Sequence, residues 1–191
     1  MITREAGLTL IKSKVSQQNI IYHMLALEAV MGSLYDYLKP TDGSTRDEWT
    51  LAGLLHDGDY SEEVPHNQQG IQIIKWVKEA GHEISDSVAH ATAAHNWHNT
   101  GVEPVNQMDW SIFCADSLTG LIVASALVIP TKKLSDVKLS SVLKRFKEPS
   151  FARGTRRDEV ALCDEKLGIK LEDFFNIALT SMQQISSEIG L

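Results

Sequence analysis

Cysteine is nearly missing from this sequence. Cys114 and Cys163 are the only two, with no C-x-x-C pair, which excludes a disulfide framework and a cysteine-rich zinc site. Proline and glycine are also sparse, at 5 and 12 of 191 residues, so collagen-like and low-complexity sequence are excluded. Long hydrophobic runs are absent as well. The longest, 121–130, is interrupted by Ser125 and is too short to span a bilayer. The first fifteen residues, MITREAGLTLIKSKV, carry charges throughout and do not read as a secretory signal. Together these absences point to a reducing cytoplasm and no membrane. What remains is 43% apolar and 23% charged, an ordinary globular composition, and 191 residues suffice for one domain with its own core.

An excess of positive charge is missing too, since the net charge is −7. That argues against a dedicated duplex nucleic-acid binder. The basic residues are nevertheless clustered. Nine of the eighteen lie in 131–157, opposed only by Asp136 and Glu148. Most such residues decorate solvated helix faces. Lys144, Arg153, Arg156 and Arg157 are the candidates for gripping phosphate, because a basic rim attracts anions and guanidinium binds them bidentately.

Apolar residues recur at three- and four-residue steps almost from end to end. Ser16 is placed to cap a helix running to Lys39, with Ile20, Met24, Leu27, Met31 and Leu34 as its stripe. Thr45 and Glu48 have capping-box spacing before a helix that stops near Gly58. Further helices are expected over 67–80, 86–96, from 106 or 107 to 128, and over 141–147, 155–167 and 171–189. No segment alternates with period two. The expected fold is all-α, a single domain with a core at about 16–130 and a helical extension at about 131–191. The apolar stretch 112–128 serves either the core or an interface between copies.

Seven histidines provide the chemistry. His23 lies on or beside the first stripe, and His56 and Asp57 are adjacent at a helix end. Asp116 interrupts the apolar IFCADSLTGLIVA. A carboxylate there is costly unless it is paired or holds a cation. Asp57 sits at the negative end of a helix dipole, which again favours a nearby cation. Imidazole and carboxylate donors from different helices are how bundle proteins build metal sites. Asp59, two residues on, is a candidate proton donor or water-orienting base.

The ordered set His23, His56-Asp57 and Asp116 resembles the HD-domain superfamily of metal-dependent phosphohydrolases. The resemblance extends through HMLALEAVM, LAGLLHDGDY, PHNQQG, ATAAHN and ADSLTGLI, spanning residues 20 to 125. It implies a helical bundle with one or two divalent ions (Fe, Mn, Zn, Ni, Co or Mg) at its centre. His23, His56, Asp57 and Asp116 would hold the first ion. His66 and His95 match the positions that bind a second, with Asp57 bridging. Two departures narrow the activity. HDGDY lacks the lysine of H-D-x-G-K, and Ala94 and Asn96-Trp97 around His95 lack the signature of cyclic-dinucleotide phosphodiesterases.

The function this implies is hydrolysis of a phosphomonoester or phosphodiester, such as a nucleotide, by a metal-activated water, with Asp57 and Asp59 as catalytic groups. The alternatives are a di-iron oxygenase on the same ligands and a non-catalytic nucleotide-sensing module. His82, His90, His98, Trp97, Trp110 and both cysteines are expected to be structural, and assembly into homo-oligomers is left open.

Overall fold

The computed structural model describes residues 1–191 as ten helices without a strand, which agrees with the all-α expectation. Two 21-residue helices, α2 (Gln18–Leu38) and α7 (Gln107–Leu127), form the centre. α3 (Arg46–Leu55) packs along α2, and α5 (Asp86–Ala94) rests on α3 and α7. From the C-terminal third, α9 (Arg157–Leu167) lies on α7, and α10 (Leu171–Gln184) on α2. One cluster of 42 buried apolar residues, from Ile2 to Ile189, joins the extension to the rest. α7 is long and apolar enough to cross a membrane by composition. Here it is a core helix, with Ile112, Cys114, Leu118, Leu121 and Ile122 fully buried, and of its large apolar residues only Leu127 is exposed, beside Val128 at its C-cap.

Local signals set the helix ends. Thr45 and Glu48 form both hydrogen bonds of the capping box that opens α3. Ser85 and Asn106 cap α5 and α7 through their side-chain oxygens, while α2 starts one residue later than a Ser16 cap would place it, after Gln17. α1 (Arg4–Lys14) lacks the broad stripe that marks the others, burying only Gly7 and Ile11, and Thr3 caps it.

The continuous helix expected over 67–80 is broken. A 3-10 turn at His66–Gln68 precedes α4 (Gln72–Glu79). Gly70 lies between them at φ +85, and a Cβ there would stand 2.1 Å from the Thr92 carbonyl oxygen. That left-handed conformation is accessible to glycine at little cost and interrupts the helix. The short α6 (Trp97–Thr100) follows α5, and α8 (Leu139–Phe146) starts two residues before the expected 141.

Candidate metal centre

Two helix ends and the two long central helices deliver the polar cluster. His56 continues the helical path of α3 at φ −51, ψ −42, and Asp57 and Gly58 then turn the chain. Gly58 permits the turn, because a Cβ there would stand 2.8 Å from both Ile11 and Ile73 side chains. α2 contributes His23, α7 contributes Asp116, and His95 follows the last residue of α5.

Each of the three imidazoles is oriented from behind. His56 Nδ1 lies 2.8 Å from the Gly53 carbonyl oxygen, and His95 Nδ1 meets the Thr92 carbonyl oxygen. A carbonyl can only accept, so both Nδ1 atoms carry the proton and both Nε2 atoms keep a lone pair. For His23 the partner is Thr119 Oγ1 at 2.9 Å, and that hydroxyl donates to the Asp116 carbonyl at 2.8 Å. The Thr119 oxygen therefore accepts from His23 Nδ1. Three imidazoles thus present three Nε2 lone pairs toward the same space. This support is the one that metal-binding histidines require.

Two carboxylates face those nitrogens. Asp116 Oδ1 is 2.9 Å from His23 Nε2 and 3.9 Å from His56 Nε2. Asp57 Oδ2 is 3.6 Å and 3.4 Å from the same two atoms, while its Oδ1 is 3.4 Å from His95 Nε2. Asp57 thus spans the two sides of the cluster, as a bridging carboxylate must. Burial raises a carboxyl pKa. Around Asp57 the imidazoles of His56 and His95 more than offset this, as His23 does for Asp116, so both carboxyls sit below their ordinary range. His23 and His95 are pushed down by burial, yet Asp116 and Asp57 respectively hold them above their ordinary value. Two carboxylates held in their charged form give the cluster an affinity for positive charge.

A divalent cation fits this donor set. His23, His56 and Asp116 each offer one ligand atom within 4.8 Å of the others. The two Nε2 atoms are 3.1 Å apart, close to the separation of about 3.0–3.4 Å between nitrogens that share an ion at about 2.1 Å. Without a proton or cation between them, two lone pairs at that distance repel.

The other expected site residues divide sharply. His66 does not join the cluster: its ring is exposed, with Nδ1 3.3 Å from Gln69 Oε1, and only its carbonyl is tied inward, to Asn96 Nδ2 at 3.0 Å. Gly70 and the 3-10 turn carry its ring away. Asp59 is fully committed elsewhere. Its two oxygens accept from the Gly70 amide at 2.9 Å and the Ile73 amide at 2.8 Å, so it caps α4 and the expected proton-transfer role gives way to a structural one. Burial raises its pKa despite those amides.

Among the basic candidates, Arg156 reaches the centre, with Nη2 3.0 Å from Asp116 Oδ2 and Nε 2.7 Å from Glu159 Oε2. Arg153 is exposed on the adjoining recess. Lys144 is exposed on α8 and lines no part of that recess. Arg157 instead clasps the carbonyls of Phe146, Glu148, Phe151 and Thr155, which spends its donors on the loop rather than on an anion.

His90 pairs with the buried Asp109 at 2.9 Å, a structural role as expected. His98 does more than expected, meeting Glu159 Oε1 at 2.7 Å behind Arg156. Trp97 and Trp110 pack with Phe113. Cys114 and Cys163 are buried, and burial pushes the Cys163 thiol up to about 11, so neither is an activated thiolate.

No model of a known protein family, no curated protein and no solved structure matches this chain.

Thr119 is the residue that sequence reasoning missed, although its place three residues after Asp116 on α7 puts it on the same helix face. Thr119→Val keeps the shape and removes the acceptor for His23 Nδ1. Metal affinity is expected to fall about 10–100-fold while thermal unfolding of the metal-free protein changes little. Metal titration with a competing chelator reads the first quantity, and unchanged affinity would mean that Thr119 does not orient His23.

Proposed function

We propose that this protein is a metal-dependent phosphohydrolase acting on a small phosphate ester such as a nucleotide. The observation that carries the reading is the arrangement of three imidazoles, each held by an oxygen acceptor at Nδ1, around two carboxylates below their ordinary pKa. His23, His56, Asp57 and Asp116 would hold the ion. A bound divalent cation supplies Lewis acidity toward a phosphoryl oxygen and lowers the pKa of water to near neutrality.

The chain's own residues do the rest. Asp57, at 17% side-chain exposure, is the carboxylate best placed to accept a hydrogen bond from an attacking water and orient it, because it stays charged while Asp59 is occupied by backbone amides. His95 Nε2 stands 3.4 Å from Asp57 Oδ1, on the far side of that carboxylate from His23 and His56. Arg156 offers a cation beside Asp116 where negative charge accumulates on a phosphoryl group. The reading agrees with the activity that the resemblance to HD-domain phosphohydrolases implies. With His66 turned outward, one complete ligand set is present rather than two. That favours hydrolysis over the di-iron alternative, which needs both histidines.

The test is a panel of phosphomonoesters and phosphodiesters, assayed with added Mn, Zn, Ni, Co, Fe or Mg beside an oxygen electrode. Turnover should appear with at least one metal, vanish on chelation and return on repletion. Metal-loaded protein that cleaves nothing in the panel, or that consumes oxygen instead, overturns the assignment.

A further inference from the structure

A recess of about 450 Å³ opens beside the cluster, lined by His23, Asp116, Ser117, Gly120 and residues 152–156. Its wall comes from two parts of the chain that are distant in sequence, α7 and the loop before α9. Apart from His23 and the two arginines, the lining residues are small. A Cβ on Gly120 or Gly154 would meet nothing within 4 Å, so the space above both is open.

The charge in this recess is one-sided. Asp116 is its only carboxylate, and both Asp116 oxygens are engaged, by His23 and by Arg156. Two cations face it. Arg156 spends Nη2 on Asp116, and its Nε lies 2.7 Å from Glu159 Oε2 and donates to Ser117 Oγ at 3.4 Å, while Nη1 takes no partner. Arg153 is exposed and forms no ion pair or side-chain hydrogen bond. Ser117 and Thr155 add hydroxyls, and the amides of Arg153 and Gly154 have no backbone acceptor.

The loop that carries Arg153 is held in a costly shape. Ala152 has φ +43, a left-handed conformation that a Cβ disfavours. Arg157 stabilises it by binding four carbonyls around it, those of Phe146, Glu148, Phe151 and Thr155. One guanidinium is thus used to fix the loop, and its neighbour Arg156 and the nearby Arg153 are left facing the recess. Such strain persists where surrounding contacts impose it, and functional sites are where it concentrates.

We infer that this recess is a subsite for a doubly charged phosphate, gripped by Arg153 and the free edge of Arg156, and that it selects phosphomonoesters over diesters. The unpaired Arg153, the free edge of Arg156 and two amides without acceptors, beside a carboxylate already neutralised, match a dianion better than a monoanion. Small lining residues admit a compact tetrahedral group and leave room for part of its ester. The inference rests on the hydrolase reading for which phosphorus reacts, but phosphate binding is measurable without turnover.

The experiment is calorimetric titration of metal-supplemented protein with inorganic phosphate and, separately, with dimethyl phosphate. At about pH 8, above its second pKa, inorganic phosphate is largely dianionic while the diester carries one charge. Wild type should bind phosphate at least about tenfold more tightly than dimethyl phosphate. Arg153→Ala should lose about tenfold or more in phosphate affinity, the effect of one charge-assisted hydrogen bond, at unchanged metal content. Arg153→Lys should recover part of the loss. Phosphate binding unaffected by Arg153→Ala, or equal affinity for both probes, overturns the subsite whatever the hydrolysis assay gives. Phosphate binding that depends on Arg153 in a protein that hydrolyses nothing would sink the hydrolase reading and leave the subsite standing.

Discussion

Asp57→Ala is expected to empty the centre of metal without unfolding the protein. Asp57 is the one carboxylate that faces all three imidazoles, through Oδ2 on one side and Oδ1 on the other. Its loss leaves His23, His56 and His95 without the charge that draws a cation between them. Removing a group that merely supports a ligand costs about 10–100-fold in affinity, so losing a ligand itself should cost at least about 100-fold. The fold should survive, because the Asp57 carboxylate accepts no backbone amide, in contrast to Asp59. Burying one carboxylate fewer also relieves desolvation. Elemental analysis should give a metal content near zero, circular dichroism should keep the wild-type helical signal, and hydrolysis should disappear. Wild-type metal content, or metal-dependent turnover in this variant, would remove Asp57 from the ligand set.

The second large effect comes from a residue with no side chain. α2 and α3 approach most closely at Gly53, where a Cβ would lie 2.8 Å from the Leu27 carbonyl oxygen and 2.9 Å from Glu28 N and Cα. All three are backbone atoms, so a side-chain rotation cannot relieve the clash. Gly53→Ala must push the helices apart, at an overpacking cost of about 1–3 kcal/mol or more, against about 1 kcal/mol returned by alanine's helix propensity. We expect a net loss of about 2 kcal/mol, read as a melting-temperature drop of about 4–8 °C. The same shift separates His23 on α2 from His56, whose Nδ1 donates to the Gly53 carbonyl, so metal affinity should fall with stability. Gly7→Ala in α1 is the control. Its Cβ meets only Leu51, Leu54 and Leu55 side chains at 3.6 Å, and it should stabilise by up to about 1 kcal/mol. A Gly53→Ala protein as stable as wild type would mean that the α2–α3 spacing is not set at this residue.

Much of the bundle was legible because its long helices carry their own evidence. The stripe on α2, the capping box of α3 and the apolar length of α7 each mark an element without reference to the rest. His23, His56, Asp57 and Asp116 were legible for a related reason: a charged residue in an apolar run needs a partner, and here the partners are one another.

What was not legible depends on backbone direction. His66 has the spacing of a ligand, but the left-handed Gly70 and the Asp59 cap turn its ring outward. Asp59 was read as chemistry because it stands beside His56-Asp57, yet two residues further along a turning chain its carboxylate faces α4. Arg156 and Arg157 are adjacent and alike in sequence, and only their side-chain directions separate a contact with Asp116 from a clasp on four carbonyls. Composition carries no information about such directions.

The reach of Arg156 to Asp116, across 40 residues of chain, has a consequence for biosynthesis. Chains are made N-terminus first at about 5–20 residues per second. His23, His56 and Asp57 leave the ribosome seconds before Asp116 and Arg156, and until then the early donors have no α7 to close over them. The four ligands are all present once α7 has been made, and Arg156 joins Asp116 only after the loop before α9 follows. A cation arriving in that interval would meet Asp116 with Oδ2 still unpaired, so the later docking of Arg156 would set the final charge of the centre.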